Sequence, residues 1–77
     1  MATTFERVQK LINTELNIPT DKITVNAHLF DDLNFDSLDA IEMVLTIETE
    51  FDIVVPDENI DELVTVQQLV TYIDANS

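Results

Sequence analysis

The chain has 77 residues, a length that predicts one domain spanning residues 1–77 with a core of modest size. It has 3 Lys and Arg against 16 Asp and Glu, a formal net charge of −13 at pH 7, which excludes nucleic acid as a ligand because phosphate binding needs cations. The absence of cysteine excludes disulfides and thiolate metal sites.

The first predicted helix begins at Thr3. Thr3 and Glu6 have the spacing of a capping box, in which each side chain accepts a hydrogen bond from the other residue's backbone. Apolar residues then recur at helical spacing until Pro19 ends the pattern. We assign Phe5, Val8 and Ile12 to the core. The complete apolar stripe consists of Phe5, Val8, Leu11, Ile12 and Leu16.

Residues 17–35 read as a long loop. A loop of this length is uncommon unless it is functional or held in place by its own side chains. Scattered apolar residues predict that this one is held in place, and they are Ile18, Ile23, Val25, Leu29, Phe30 and Leu33. His28 is the only histidine, so a metal or catalytic role needs partners from elsewhere. A surface or half-buried position is the favoured interpretation.

The central predicted helix starts after Asp36. The short carboxylate of Asp36 suits the N-cap, and Asp39 falls at the third helical position, where the positive end of the helix favours an acid. This register places Ser37 at the first helical position with its hydroxyl facing water. Taken alone, Ser37 is better interpreted as a helix-start residue without chemistry.

The apolar surface of this helix is wider than the stripe of a little over about 100° that one core contact needs. One group of residues is enough for the core: Ala40, Met43, Val44, Ile47 and Phe51. A second apolar group, Leu38, Ile41 and Leu45, lies beside Ser37. This second group is either buried as well or exposed as a docking surface, and its position beside Ser37 favours docking.

The last third of the chain predicts one short and one long helix. The segment 52–56 is β-like in composition but too short and isolated to build a sheet. Pro56 suits the start of a short helix, which Ile60 and Leu63 would close onto the core. Thr65 and Gln68 form another capping box. The stripe of the final helix consists of Val66, Leu69, Val70 and Ile73. The predicted fold is therefore all-α, a small four-helix bundle of three long helices and one short, with a long loop between the first and second helices.

Asp36-Ser37-Leu38 followed by an amphipathic helix resembles the Asp-Ser-Leu attachment motif of the acyl carrier protein family. The similarity extends over nearly the whole chain, through the segments 6–8, 31–33, 48–51, 56–58 and 65–66. The resemblance implies that a holo-carrier synthase (a phosphopantetheinyl transferase) joins 4′-phosphopantetheine from coenzyme A to Ser37, with Asp36 and Leu38 flanking the site. The thiol of that arm then holds acyl groups as thioesters.

The resemblance also implies partners. Enzymes with basic docking patches would bind the acids and the surplus apolar residues, and an acyl chain would be sheltered in the interior near Val8, Val44, Ile47, Ile60 and Leu69. The residues expected to contact partners are Asp36, Leu38, Asp39, Ile41, Glu42, Leu45, Glu48, Glu58 and Asp61. The alternative for the acids is a solvated surface. Thr49 stands where the family often has a further Glu, which removes one potential contact.

Two residues before the serine depart from the family pattern. Asn34 stands where a glycine is common, and asparagine tolerates the left-handed backbone region better than most residues. Phe35 stands where a smaller residue is usual. We expect Phe35 either to cover the approach to Ser37 or to offer an aromatic contact to a partner.

Asp32, Asn34 and Asp36 imitate the opening of a calcium-binding EF-hand loop. The loop would then need Gly at the position of Ser37 and Glu at the position of Met43. Neither is present, so we predict no metal site beyond weak screening of clustered carboxylates by cations.

The sequence thus predicts a monomeric carrier without catalytic activity, because Ser37 has no evident base to activate it. Fatty acid synthesis is the favoured pathway, and polyketide, nonribosomal peptide or D-alanyl transfer are alternatives with the same fold. An acidic protein-interaction module without a prosthetic group is an alternative of another class. Since neither a signal peptide nor a membrane-spanning run is recognisable, we expect a cytoplasmic protein, or an organellar one that has already been processed.

Overall fold

A computed structural model describes residues 2–77 as four α-helices and one 3₁₀ turn. In chain order these are α1 (Thr4–Leu16), the 3₁₀ turn (Thr20–Lys22), α2 (Ser37–Phe51), α3 (Asp57–Ile60) and α4 (Val66–Asn76). Within that range no strand forms, and the one β-bridge joins His28 to Thr65. The predicted all-α bundle of three long helices and one short is confirmed.

Each long helix begins with a reciprocal capping box, as predicted for α1 and α4, and the predicted N-cap Asp36 forms one at α2 as well. In α1 the Glu6 N–H donates to Thr3 Oγ1 at 3.1 Å and the Thr3 N–H donates to Glu6 Oε1 at 3.2 Å. Asp36 and Asp39 form the same pair at α2. At α4 the Thr65 side chain accepts from the Gln68 N–H, and the Gln68 side chain accepts from the Thr65 N–H. Because each box satisfies backbone donors that the helix itself leaves free, it defines where the helix starts.

The chain makes its left-handed turns without glycine. Asn17 at the end of α1 has φ 56°, Asp52 at the end of α2 has φ 54°, and Asn34 before α2 has φ 58°. Asn and Asp are the non-glycine residues that enter this region most readily. Asn34 therefore adopts the left-handed conformation in the turn ahead of Ser37, at the position where glycine is common in the family that the sequence resembles.

The core lies where α1 packs against α4 and α2. Its fully buried side chains include Val8 and Ile12 of α1, Ile47 of α2 and Ile73 of α4. The predicted α2 core group is confirmed: Met43, Val44 and Ile47 are buried, and Ala40 and Phe51 pack against them. In the described chain no helix has both the length and the apolar character that crossing a bilayer demands.

The loop between α1 and α2 is held in place as predicted, but partly by bonds that the sequence did not indicate. Ile23, Leu29 and Leu33 are buried as predicted. Val25 and Phe30 are each 37% exposed, so the prediction that they anchor the loop is wrong. Backbone hydrogen bonds also fasten the loop to the start of α4. They are Leu29 N–H to Val64 O at 2.8 Å, Val66 N–H to Ala27 O at 3.1 Å and Gln67 N–H to Val25 O at 2.9 Å.

Both expectations for Phe35 are wrong. Its side chain is 5% exposed and belongs to the core, and its N–H donates to Leu29 O at 2.9 Å. Residue 34 turns the chain so that residue 35 points inward, and an aromatic ring there adds buried apolar area. Phe35 therefore neither covers Ser37 nor presents its ring to a partner.

The segment between α2 and α3 forms no strand, as expected. Ile53 and Val55 are buried while Val54, between them, is 76% exposed. Pro56 precedes α3, and Leu63 is buried with Ile60 packed against the core. This confirms that these two residues close the short helix onto the bundle.

Candidate functional site

Ser37 is an exposed residue at the first position of α2. Asp36 before it is extended, with φ −104° and ψ −177°. The Asp39 N–H donates to Asp36 Oδ1 at 2.8 Å, and the Asp36 N–H donates to Asp39 Oδ2 at 3.3 Å. The two carboxylates thus fix the backbone on either side of Ser37 and leave its side chain at the surface.

The electrostatics of this position suit an anionic group bound to the Ser37 oxygen. The Asp36 carboxylate occupies the N–H of Asp39, while the N–H groups of Ser37 and Leu38 belong to the first turn and have no carbonyl one turn earlier in the helix. These donors and the positive end of the helix dipole favour negative charge. A phosphate ester at Ser37 therefore fits the residues around it.

A groove of about 390 Å³ adjoins Ser37. Its residues come from the loop before α2, from α2, from α3 and from the position that follows α3. They are Phe30, Ser37, Ala40, Ile41, Asp57, Ile60 and Asp61. The walls are mainly apolar and the two Asp carboxylates are exposed. A thin, flexible arm anchored at Ser37 can lie along such a groove.

The second apolar group of α2, which consists of Leu38, Ile41 and Leu45, is exposed. Leu38 is 62% exposed, Ile41 48% and Leu45 57%, so the alternative that they are buried is wrong. The acids Asp36, Glu42, Glu58 and Asp61 are exposed as well. The structure therefore places most of the predicted contact residues on accessible surface around Ser37.

Glu48 and Asp39 differ from the other predicted contact residues, because both are half-buried and bonded within the chain. Glu48 Oε2 accepts from the Val55 N–H at 2.9 Å, which ties the segment before α3 to α2. Asp39 completes the cap of α2. Both carboxylates serve the fold, and their part in partner binding stays a prediction.

Three groove residues were not singled out for this site from the sequence. Phe30 had been assigned to anchoring the loop, Ala40 to the core and Asp57 to the first turn of the short helix. Ala40 lies three residues after Ser37 on α2, so helical spacing alone places it beside Ser37. Only the tertiary structure brings Phe30 and Asp57 to the groove, and no motif in the sequence marks them.

The spacing that imitates an EF-hand does not form a metal loop. Asp32 Oδ2 accepts from the His28 N–H at 2.7 Å, so this carboxylate is part of a backbone turn. Across residues 2–77 the structure brings no three His, Cys, Asp or Glu side chains together in a way that could hold a metal ion.

Two comparisons with known proteins indicate the same kind of protein. The family model described as "Phosphopantetheine attachment site" matches residues 6–73. The chain is 42% identical over 74 residues to the acyl carrier protein of Zymomonas mobilis subsp. mobilis (strain ATCC 31821 / ZM4 / CP4), with 96% of this chain and 95% of that protein covered. Both similarities run from α1 into α4, so they include the surroundings of Ser37 as well as the helices that support it.

Proposed function

Because the chain belongs to the acyl carrier protein family, we propose that it holds acyl groups for fatty acid synthesis on a 4′-phosphopantetheine arm attached to Ser37. Phosphopantetheine is the prosthetic group of this family, and its members are carriers without catalytic activity, in agreement with the sequence-based expectation. When bound, the arm supplies a thiol for thioester formation. The observation that supports Ser37 most is its exposed hydroxyl at the start of α2, beside an apolar groove.

The residues around Ser37 support this role in two ways. Asp36 and Asp39 fix the first turn of α2, so the hydroxyl is presented at a defined place to the enzyme that modifies it. The free N–H groups and the dipole of the helix then stabilise the negative charge of the attached phosphate. Ala40, Ile41 and Ile60 offer an apolar path along the groove.

We assign partner binding to the exposed face of α2 and to the region of α3. Leu38, Ile41 and Leu45 provide apolar contacts. The surrounding acids, Asp36, Glu42, Glu58 and Asp61, complement basic patches on the holo-carrier synthase and on acyl-processing enzymes. Apolar side chains encircled by charges form the kind of surface that attracts a partner through its charges and is held by its apolar contacts.

The acyl chain is proposed to lie in the bundle interior, entering beside Ile60. Val8, Val44, Ile47 and Leu69 are buried, whereas Ile60 is half-buried and also lines the groove. Ile60 is therefore the point at which the groove meets the core. A ligand that binds only the folded state raises the melting temperature. Carriers loaded with a long and a very short acyl chain should differ in this respect, and equal melting temperatures would count against sheltering.

Attachment is tested by incubating the protein with coenzyme A and a phosphopantetheinyl transferase and then measuring intact mass. The expected gain is one phosphopantetheine per chain. Ser37→Ala should show no gain while its circular dichroism remains that of the wild type, because Ser37 is exposed. An unchanged wild-type mass would refute the proposal and favour an acidic interaction module without a prosthetic group.

The pathway is tested separately by loading. The modified carrier would be offered to acyl-activating enzymes of fatty acid, polyketide, nonribosomal peptide and D-alanyl metabolism, and the preferred loading enzyme identifies the pathway. We also propose that the protein acts in the cytoplasm. The similarity to a bacterial acyl carrier protein supports that location.

A further inference from the structure

His28 caps a single turn that precedes the groove. Its Nδ1 accepts from the N–H groups of Phe30 at 3.3 Å and Asp31 at 3.1 Å. The Asp32 N–H donates to His28 O at 2.8 Å, and Asp32 Oδ2 accepts from the His28 N–H at 2.7 Å. This arrangement resembles a capping box, except that an imidazole nitrogen replaces the usual side-chain oxygen and that the carboxylate returning the bond belongs to Asp32, one residue beyond Asp31.

These hydrogen bonds need a neutral imidazole. A nitrogen that accepts two N–H groups is unprotonated, so the ring proton of neutral His28 lies on Nε2. A protonated imidazole carries a proton on both nitrogens and accepts no hydrogen bond. Protonation would therefore replace two attractive contacts with the repulsion of a ring N–H facing two backbone N–H groups.

The capped turn places an aromatic ring in the wall of the Ser37 groove. Phe30 lines that groove together with Ser37 and Ile41, and it is 37% exposed. The Phe30 ring lies 6.1 Å from the His28 ring, centroid to centroid, with a tilt of 59°. This is the distance of an ordinary aromatic pair. His28 thus acts on Phe30 through the backbone and through the ring.

We infer that His28 is a positioning residue. Its neutral imidazole holds Phe30 in the groove wall beside Ser37, and its protonation releases the turn and moves Phe30. The effect on the modification of Ser37 rests on the proposed function, whereas the state of the turn can be measured without it.

The charges around His28 favour opening of the capped turn at low pH. Asp31 Oδ2 is 3.8 Å from Nδ1, and the Asp32 carboxylate lies on the adjacent backbone N–H. The neighbouring element is the start of α4, where the residues that bridge or bond to this segment, Val64 and Thr65, are uncharged. An imidazolium can turn toward either Asp once the cap is broken.

Nuclear magnetic resonance tests the turn directly on the whole protein. The amide signals of Phe30 and Asp31 would be followed from about pH 8 to about pH 5.5, the range in which a histidine changes charge. In the wild type both amide protons should move upfield, as expected for lost hydrogen bonds, along the same titration curve as the His28 ring signals.

His28→Asn is the matched control. Its Oδ1 can accept at the place of Nδ1, asparagine is a favoured cap, and it does not titrate. In His28→Asn the amide signals of Phe30 and Asp31 should stay, at every pH, near the chemical shifts that the wild type shows at high pH. His28→Ala should show the released values at every pH. Amide signals that ignore the His28 titration, or that titrate equally in His28→Asn, would overturn the inference.

Transferase kinetics test the consequence for Ser37. The KM for the carrier would be measured for the wild type and for His28→Asn at each pH, and their ratio cancels the pH response of the transferase itself. We expect this ratio to rise several-fold on acidification with little change in kcat, because a displaced Phe30 weakens binding and not the chemical step. A constant ratio despite a titrating turn would overturn the positioning role. If no carrier is modified at all, the proposed function fails, and the amide signals still decide whether His28 caps the turn.

Discussion

α1 and α2 begin with the same kind of cap but use their apolar residues differently. In α1 the whole stripe, from Phe5 to Leu16, is buried or packed against the core. In α2 the core group is buried in the same way, yet Leu38, Ile41 and Leu45 remain about half exposed or more. Both helices are anchored by reciprocal capping boxes, so the helix start does not account for the difference.

The difference shows which part of the chain is surplus to folding. A helix needs one apolar stripe to be held by its neighbours, and α1 has no more than that. The second apolar group of α2 lies beside the exposed Ser37 and removes little area from water within the chain. Exposed apolar side chains grouped in this way mark interaction sites.

The largest expected effect comes from the same substitution made on both helices. Ile12→Ala in α1 removes a side chain that is 0% exposed, and such a change costs about 2–5 kcal/mol because it leaves a cavity. Ile41→Ala in α2 removes one that is 48% exposed and should cost less than about 1 kcal/mol. Urea unfolding followed by circular dichroism gives both values, and similar losses would disprove the division between core and docking face.

A second pair separates the acids of α2 that serve the fold from those that are free for partners. Glu48→Ala leaves the N–H of Val55 without its acceptor and should cost about 1–3 kcal/mol of unfolding free energy. Glu42→Ala removes an exposed acid from the same helix and should change the unfolding free energy by less than about 0.5 kcal/mol. If Glu42→Ala destabilises the protein as much as Glu48→Ala in urea, the Glu48 bond has no special part in the fold.

The smallest effect concerns the contact between the two helices. Arg7 lies over the Phe51 ring at 4.2 Å and pairs with Glu50 at 3.5 Å. Arg7→Ala should lower the unfolding free energy by about 1 kcal/mol or less, because both groups are near the surface. Lys10→Ala is the control, since it removes the same charge from the same helix of an acidic protein. Equal melting temperatures for the two variants would show that the charge matters and the contact does not.

Local features of the chain were predictable because they depend on residues close in sequence. The capping pairs at Thr3, Asp36 and Thr65 are three residues apart, and the apolar stripes repeat at the helical period. Likewise, Asn34 is a residue type that admits the left-handed backbone it adopts. The exposure of Ser37 follows from its position one residue after a cap.

Features that depend on distant partners were not predictable. Phe35 was expected near Ser37 at the surface, yet its ring enters the core that residues of α1, α2 and α4 build together. In the sequence Glu48 does not differ from the other acids of α2, and only the folded structure shows that its carboxylate accepts from the Val55 N–H. The cap at His28 is local, since its partners are two and three residues away, but histidine is not one of the usual N-cap residues, so the residue type did not indicate it.

By itself, then, the sequence determined where the helices begin, which stripes they bury and that Ser37 is exposed at the start of α2, since each of these is encoded by spacing within a turn or two. The tertiary structure alone decided the shape of the groove beside Ser37, the inward direction of Phe35 and which acids are bonded within the fold. Those depend on segments that meet only after folding, when backbone donors and side chains far apart in the chain come within hydrogen-bonding distance.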